Sequence, residues 1–193
     1  MFTIYYKTIL LLKKIKYGKN IKFFGFFRIR GDIQKESVTI GNGVTFQPHV
    51  DLKVRKGGKI IIGNNVHLDF GVRIVVAENF KVEISDGVRI GHSTIINGGC
   101  DVKISENVAI AGHSLLQASE HVLERNSNKV VGTEYKRGLI SIGKSSWICS
   151  HVIIRPNTTI GENCIVGALS LVKGKFGNFL KIAGSPAKVI GNL

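Results

Sequence analysis

The sequence predicts an all-β chain wound as a three-sided prism, and three observations predict it. Aliphatic residues recur at every sixth place: Ile142, Ile148, Ile154, Ile160, Val166 and Val172 keep that beat without a break. A small residue often follows the aliphatic one, as Gly143, Gly161 and Gly167 do. The coil openings Ile40, Ile62, Ile84, Ile104, Ile142 and Ile160 are spaced by 22, 22, 20, 38 and 18 residues. A six-residue beat fits neither the helical turn nor the plain two-residue alternation of a sandwich strand. Three sides of six residues close one coil, the aliphatic residue pointing inward and the small one turning the corner. A single coil cannot bury its apolar residues, but a stack of them forms a continuous core.

Taken in chain order, residues 1–37 read as a basic helix and cap. Residues 1–30 hold Lys7, Lys13, Lys14, Lys16, Lys19, Lys22, Arg28 and Arg30 and no acid, interleaved with Phe2, Tyr5, Tyr6, Leu10, Phe23, Phe24, Phe26 and Phe27. A short helix over about 3–16 would cover the open end of the prism, where an uncovered edge invites association. The same mixture of cations and apolar rings suits peripheral contact with an anionic membrane surface. Residues 38–193 read as the coil and a C-terminal tail, each buried Ile or Val contributing about 1.5–3 kcal/mol. The 38-residue gap before Ile142 holds one full coil and an excursion, an extruded loop near 122–139.

The chain of 193 residues carries a net charge of +14, which favours anionic partners. No nucleic-acid motif accompanies that charge, so no nucleic-acid partner is expected. Cys100, Cys149 and Cys164 have no ligand spacing and read as reduced thiols of a cytoplasmic protein. The run Ile9–Leu12 ends at Lys13 and Lys14, far short of the ~18 apolar residues of a membrane span. The order of charges does not suit a signal peptide. The expected location is the cytoplasm or the inner face of the membrane.

"IGKSSWICSHVIIRPNTTIGENCIVGALSLV" (142–172), followed by "IAGSPAKVIG", resembles the closing signature of the hexapeptide-repeat O-acetyltransferases. That family includes the maltose, galactoside and nodulation-factor enzymes and those that decorate lipopolysaccharide and capsule sugars. The resemblance covers about residues 38–191 and is strongest over 84–191. It implies a left-handed parallel β-helix and a homotrimer with active sites between subunits. It also implies transfer of an acetyl group from acetyl-CoA to a sugar hydroxyl of a surface polysaccharide or its precursor.

Acetyl transfer from a thioester to an alcohol needs a base for the hydroxyl proton and a donor for the developing oxyanion. Histidine, with an ordinary pKa of ~6.5, is suited to the first task. His121 ends "LLQASEH" at the head of the excursion, the place of the catalytic histidine in the family. Glu120 stands beside it and could orient the imidazole, as a backbone carbonyl could. His113 and His151 occupy solvent-facing places in their hexapeptides, and His49 and His67 lie in early coils. His92 lies roughly one coil before the base, where an acceptor sugar could be gripped. Its neighbour Ser93 aligns with an asparagine that binds acceptor in the maltose and galactoside enzymes. On the donor side the resemblance maps Ser150 and Ala168 onto acetyl-CoA contacts, and Lys173 and Lys188 onto residues near the CoA chain and its phosphates. No metal is expected: gamma-type carbonic anhydrases share the coil, but two of their zinc histidines lie five residues apart, whereas His113 and His121 are eight apart. N-acyl transfer to an amino sugar and a xenobiotic acetyltransferase of the same fold remain open alternatives.

Overall fold

The computed structural model describes residues 2–122 and 134–193. Its backbone winds as a parallel β-helix of seven turns with three flat faces. The first face stacks eight short strands, from Lys16–Tyr17 through Val38–Ile40 and Ile140–Ile142 to Lys175–Phe176. The second runs from Lys22–Phe23 through Trp147–Ile148 to the C-terminal strands Leu180–Gly184 and Ala187–Asn192. The third runs from Phe27–Gly31 through Leu115–Gln117 and Ile153–Ile154 to Leu171–Val172.

The register explains the six-residue beat. Ile40, Ile62, Ile84, Ile104, Ile142 and Ile160 lie in one column of the first face, each paired with the next. Phe46, Leu68, Ile90, Ile110, Ile148 and Val166 form the column of the second face. Leu52, Ile74, Ile96, Leu116, Ile154 and Val172 form that of the third. All of these are buried in one cluster that fills the prism. Each coil alone would leave three such side chains in water, so the stack is what makes the fold stable.

The winding also reaches one turn before Val38. Tyr17, Phe23 and Ile29 pair with Ile40, Phe46 and Leu52, and they too are spaced by six. The helix ahead of them, α1 (Phe2–Leu12), is shorter than the expected 3–16. It ends because Lys14 turns left-handed at φ 53°. The Lys14 N–H then donates to the Leu11 carbonyl and the Ile15 N–H to that of Leu10, the paired bonds of a Schellman cap, with Leu10 and Ile15 both buried. Tyr6 and Leu10 plug the open end: the Phe27 N–H donates to the Tyr6 hydroxyl at 2.9 Å, and the Tyr6 ring lies 5.1 Å from Phe23 and 5.6 Å from Phe27.

Most of the expected loop over 122–139 lies outside the described residues. Its two roots are described. Ser119–His121 and Tyr135–Arg137 form an antiparallel pair that leaves the end of the third face. Gly138 returns the chain to the coil, where a Cβ would come within 2.5 Å of Asn157 atoms, so only glycine fits this approach. Of the cysteines, Cys164 is buried and Cys100 and Cys149 are half-buried, and all three thiols are free.

Candidate active site

Two clusters carry the chemistry, and they occupy opposite edges of the third face. The first is at the corner where the chain passes from the second face to the third. One residue per coil turns left-handed there: His49 (φ 65°), Gly71 (67°), Ser93 (56°), His113 (60°), His151 (58°) and Leu169 (60°). The N–H of each donates to the carbonyl of the residue before its counterpart one coil earlier, as Ser93 does to Phe70, His113 to His92, His151 to Gly112 and Leu169 to Ser150. His92, Gly112, Ser150 and Ala168 therefore lie in one column. The expected acceptor residues His92 and Ser93 thus share a corner with the expected donor residues Ser150 and Ala168.

His92 leans along this corner. A Cβ on Gly112 would lie 2.8 Å from its ring atoms, so that glycine makes room for the imidazole. The His92 ring meets His113 edge-on at 4.5 Å, and His113 stacks on His151 at 4.9 Å. These rings form a ladder, and among the described residues no three His, Cys, Asp or Glu side chains are grouped to hold a metal ion. Burial raises the Cys149 thiol above its ordinary value, which keeps it protonated and unreactive beside Ser150. Lys188 reaches the same corner by another route. It pairs with Ala183 in the C-terminal hairpin, and the Ile182 carbonyl beside Ala183 accepts from the N–H of Gly167, which adjoins Ala168.

The second cluster surrounds His121. The strand Ser119–His121 pairs with Tyr135–Arg137 so that His121 lies opposite Tyr135, their rings 4.4 Å apart. The Val122 N–H to Glu134 carbonyl bond and the Gly138 N–H to Ala118 carbonyl bond close the hairpin at each end. Beneath it lies a cleft of about 390 Å³ lined by Leu115, Gln117, Glu120, His121, Ile153, Arg155 and Leu171. Glu120 faces Arg155, whose guanidinium forks onto both carboxylate oxygens, the Nη2–Oε2 bond measuring 2.6 Å. That fork holds the Glu120 carboxyl below its ordinary range, with smaller help from Lys173 and Lys136. The carboxylate is thus ionised and engaged with arginine. Lys173 follows Val172 as Arg155 follows Ile154, which puts its charge on the His121 edge, away from Ser150 and Ala168.

The single chain therefore brings His121 together with Lys173, and Ser150 and Ala168 together with His92, Ser93 and Lys188. It does not bring the two groups to each other. Arg155, Gln117 and Tyr135 are additions that the sequence reading missed. Gln117, Arg155 and Lys173 each follow the third aliphatic residue of a coil, a signal the six-residue beat contains. Tyr135 had no such signal, because an antiparallel return breaks the beat.

The family model "Bacterial transferase hexapeptide (six repeats)" matches residues 140–174. The chain is 30% identical to the galactoside O-acetyltransferase of Escherichia coli K12 over 82% of its own length and 65% of that protein, just under two thirds. It is 27% identical to a putative lipopolysaccharide biosynthesis O-acetyl transferase, WbbJ, of the same strain, over 91% of this chain and 92% of the relative. It is 33% identical to the dTDP-4-amino-4,6-dideoxy-D-glucose acyltransferase of Escherichia coli, over 68% of this chain and 70% of the other. Among solved structures, the N-acyltransferase AntD of Bacillus cereus, in complex with dTDP and coenzyme A, superposes with a TM-score of 0.65. It has 23% identity, over 98% of this chain and 88% of that one, and so speaks for the fold alone. Repeat, coil and relatives agree, and the chain belongs to the bacterial hexapeptide transferase family.

Proposed function

We propose that this chain is an acetyl-CoA-dependent O-acetyltransferase that modifies a sugar hydroxyl of a surface polysaccharide or its precursor. The observation that carries this reading is the placement of His121, on a short hairpin over an open cleft and stacked on Tyr135. In the reaction the His121 imidazole takes the proton of the acceptor hydroxyl as its oxygen bonds to the thioester carbonyl carbon. The carbon–sulfur bond then breaks, and the imidazolium returns the proton to the departing thiolate. Backbone N–H groups of the Ser150–Ala168 corner are suited to receive the developing oxyanion, and Lys188 to meet the phosphates of the donor. Because the two clusters lie on opposite edges of one face, the working site joins His121 of one chain to the corner of a second, as in a homotrimer.

The relatives support this reading: two are named for O-acetyl transfer, one of them in lipopolysaccharide biosynthesis. The amino-sugar acyltransferase favours a second reading, N-acylation of an amino sugar, for which the same base would serve. Turnover of acetyl-CoA against a panel of sugars, amino sugars and glycans, with the new acetyl group located by NMR, separates the two. His121→Ala is expected to reduce turnover by about 10²–10⁴-fold while the fold persists. Near-normal activity in that variant would remove His121 from its role.

We also place the protein at the cytoplasmic membrane surface. Among the described residues no helix is long and apolar enough to cross a membrane. Phe2, Ile4, Tyr5, Leu11, Leu12 and Phe24 are exposed at the N-terminal end, among the lysines of residues 7–22. Salt-sensitive cosedimentation with anionic vesicles is expected, and its absence would remove the membrane from the account.

A further inference from the structure

A second, larger groove begins where the His121 cleft ends. It has a volume of about 660 Å³ and runs from Gly31 and Asp32 up to Ser119, Tyr135 and Arg137. Gln117 lines both cavities, so they adjoin. Tyr135, packed on His121, lines the larger one. The shared wall is polar: the Asn97 Nδ2 amide donates to Gln117 Oε1 at 2.8 Å, and Gln117 Nε2 donates to the Ser119 carbonyl at 2.6 Å.

The far end of this groove is cationic and lacks counter-charges. Lys53, Arg55 and Lys56 line it. The nearby acids are already engaged. Asp51 accepts both bonds of the Arg30 fork, at 2.9 and 2.6 Å, and lies 3.6 Å from Arg73. Glu78 pairs with Arg137 and lies 3.9 Å from Lys56, while Asp32 Oδ2 accepts the Lys56 backbone N–H at 2.9 Å. Among the described residues neither the Lys53 ammonium nor the Arg55 guanidinium has an ion-pair partner. Their mutual repulsion shows in Lys53, whose ammonium is held below its ordinary pKa chiefly by Arg55. Two unpaired cations at one end of a concave groove focus a positive field where an anion would complete the set.

The register gives the separation. Lys53 pairs with Val75, Val75 with Asn97, and Asn97 with Gln117. Three coil steps at ~4.8 Å put Lys53 about 14 Å from Gln117 along the prism axis. We propose that the acceptor is acidic: it lies extended along this groove, its reacting sugar at His121 and a carboxylate or phosphate between Lys53 and Arg55. The inference rests on the acetyl-transfer reading for what happens at His121, but the anion seat stands on its own geometry.

Binding can therefore be measured apart from turnover. Calorimetry on the full chain would compare three probes: an oligogalacturonate, its carboxyl-reduced neutral form, and a nucleoside diphosphate-hexose. At low salt at least one anionic probe is expected to bind roughly tenfold or more tightly than the neutral one, the effect of a charge-assisted hydrogen bond. The better of the two identifies carboxylate or phosphate as the group seated. In Lys53→Gln/Arg55→Gln that preference is expected to vanish, and in Lys53→Glu to invert, with melting curves confirming that both variants fold. Equal binding of all three probes, or an unchanged preference in the double variant, would overturn the proposal. Preferential binding without any acetylated product would instead sink the acetyl-transfer reading and leave the anion seat standing.

Discussion

The Glu120–Arg155 fork makes the sharpest test of how the His121 strand is held. Glu120 directly precedes the imidazole, and its carboxylate is tied to a residue of the next coil. A buried charge-assisted hydrogen bond contributes about 1.5–3 kcal/mol, and an exposed ion pair only about 0.2–1. The side chains are 38% and 22% exposed, which discounts the fork to about 1 kcal/mol. Arg155→Gln and Glu120→Gln should each lower the melting temperature by roughly 2–4 °C in a chain of this size. In a double-mutant cycle the pair should show a coupling of about 1 kcal/mol. If the fork also fixes the imidazole, kcat should fall about fivefold in either single variant, the rate equivalent of the same energy. The double variant should then lose no more than either single one. Thermal melts and initial-rate kinetics measure the two couplings separately. A thermal coupling near zero would show that the backbone bonds at Val122 and Gly138 hold the hairpin unaided. An unchanged kcat would show that the fork has no part in placing His121.

Acid should destabilise the fold in a defined window. Hydrogen bonds from Arg155 to Glu120, from Arg30 to Asp51 and from Asn64 to Asp86 hold these three carboxyls below their ordinary range. A carboxyl depressed in the folded state contributes fully above its unfolded value and loses that contribution as pH falls through the folded one. The melting temperature should therefore stay level down to about pH 5 and fall below about pH 4, less steeply in Asp51→Asn; a flat curve to pH 3 contradicts the assignment. Complementation tests the shared site. His121→Ala and a bulky Ala168→Trp should each be inactive, yet mixed at random in a cyclic assembly they should restore activity at about a quarter of the sites. No recovery after co-refolding would place both halves of the site in one chain.

What the sequence made legible follows from which forces are periodic. The inward columns were readable because burial repeats with the coil, so Ile142, Ile148 and Ile154 announce three faces in turn. The first coil was harder to read. Tyr17, Phe23 and Ile29 keep the beat, but lysines and exposed phenylalanines surround them and mask it as a cap. The end of α1 rests on one left-handed lysine, a conformation that residue type does not announce. For the site, the position of His121 at the mouth of the excursion was legible. Its neighbours were not, because Tyr135 arrives by antiparallel pairing across a loop, and the basic groove gathers residues from coils 22 positions and more apart.

The distance between the two clusters decides how such a site can work. Ser150 and Arg155 bound one strand of the third face, five residues apart, or about 16 Å at ~3.3 Å per residue. Reacting atoms must come within about 3–3.5 Å. No side-chain rotation closes that gap across a rigid face, so one chain carries two half-sites on opposite edges, each waiting for its complement. The division has a chemical consequence. The base, the Gln117 wall and the cationic groove all lie on the edge from which the excursion leaves, while the donor corner is built from backbone at left-handed turns. Substitutions in the excursion or at Lys53 and Arg55 can then change which acceptor is gripped, while the corner that receives the common donor keeps a shape set by coil geometry alone.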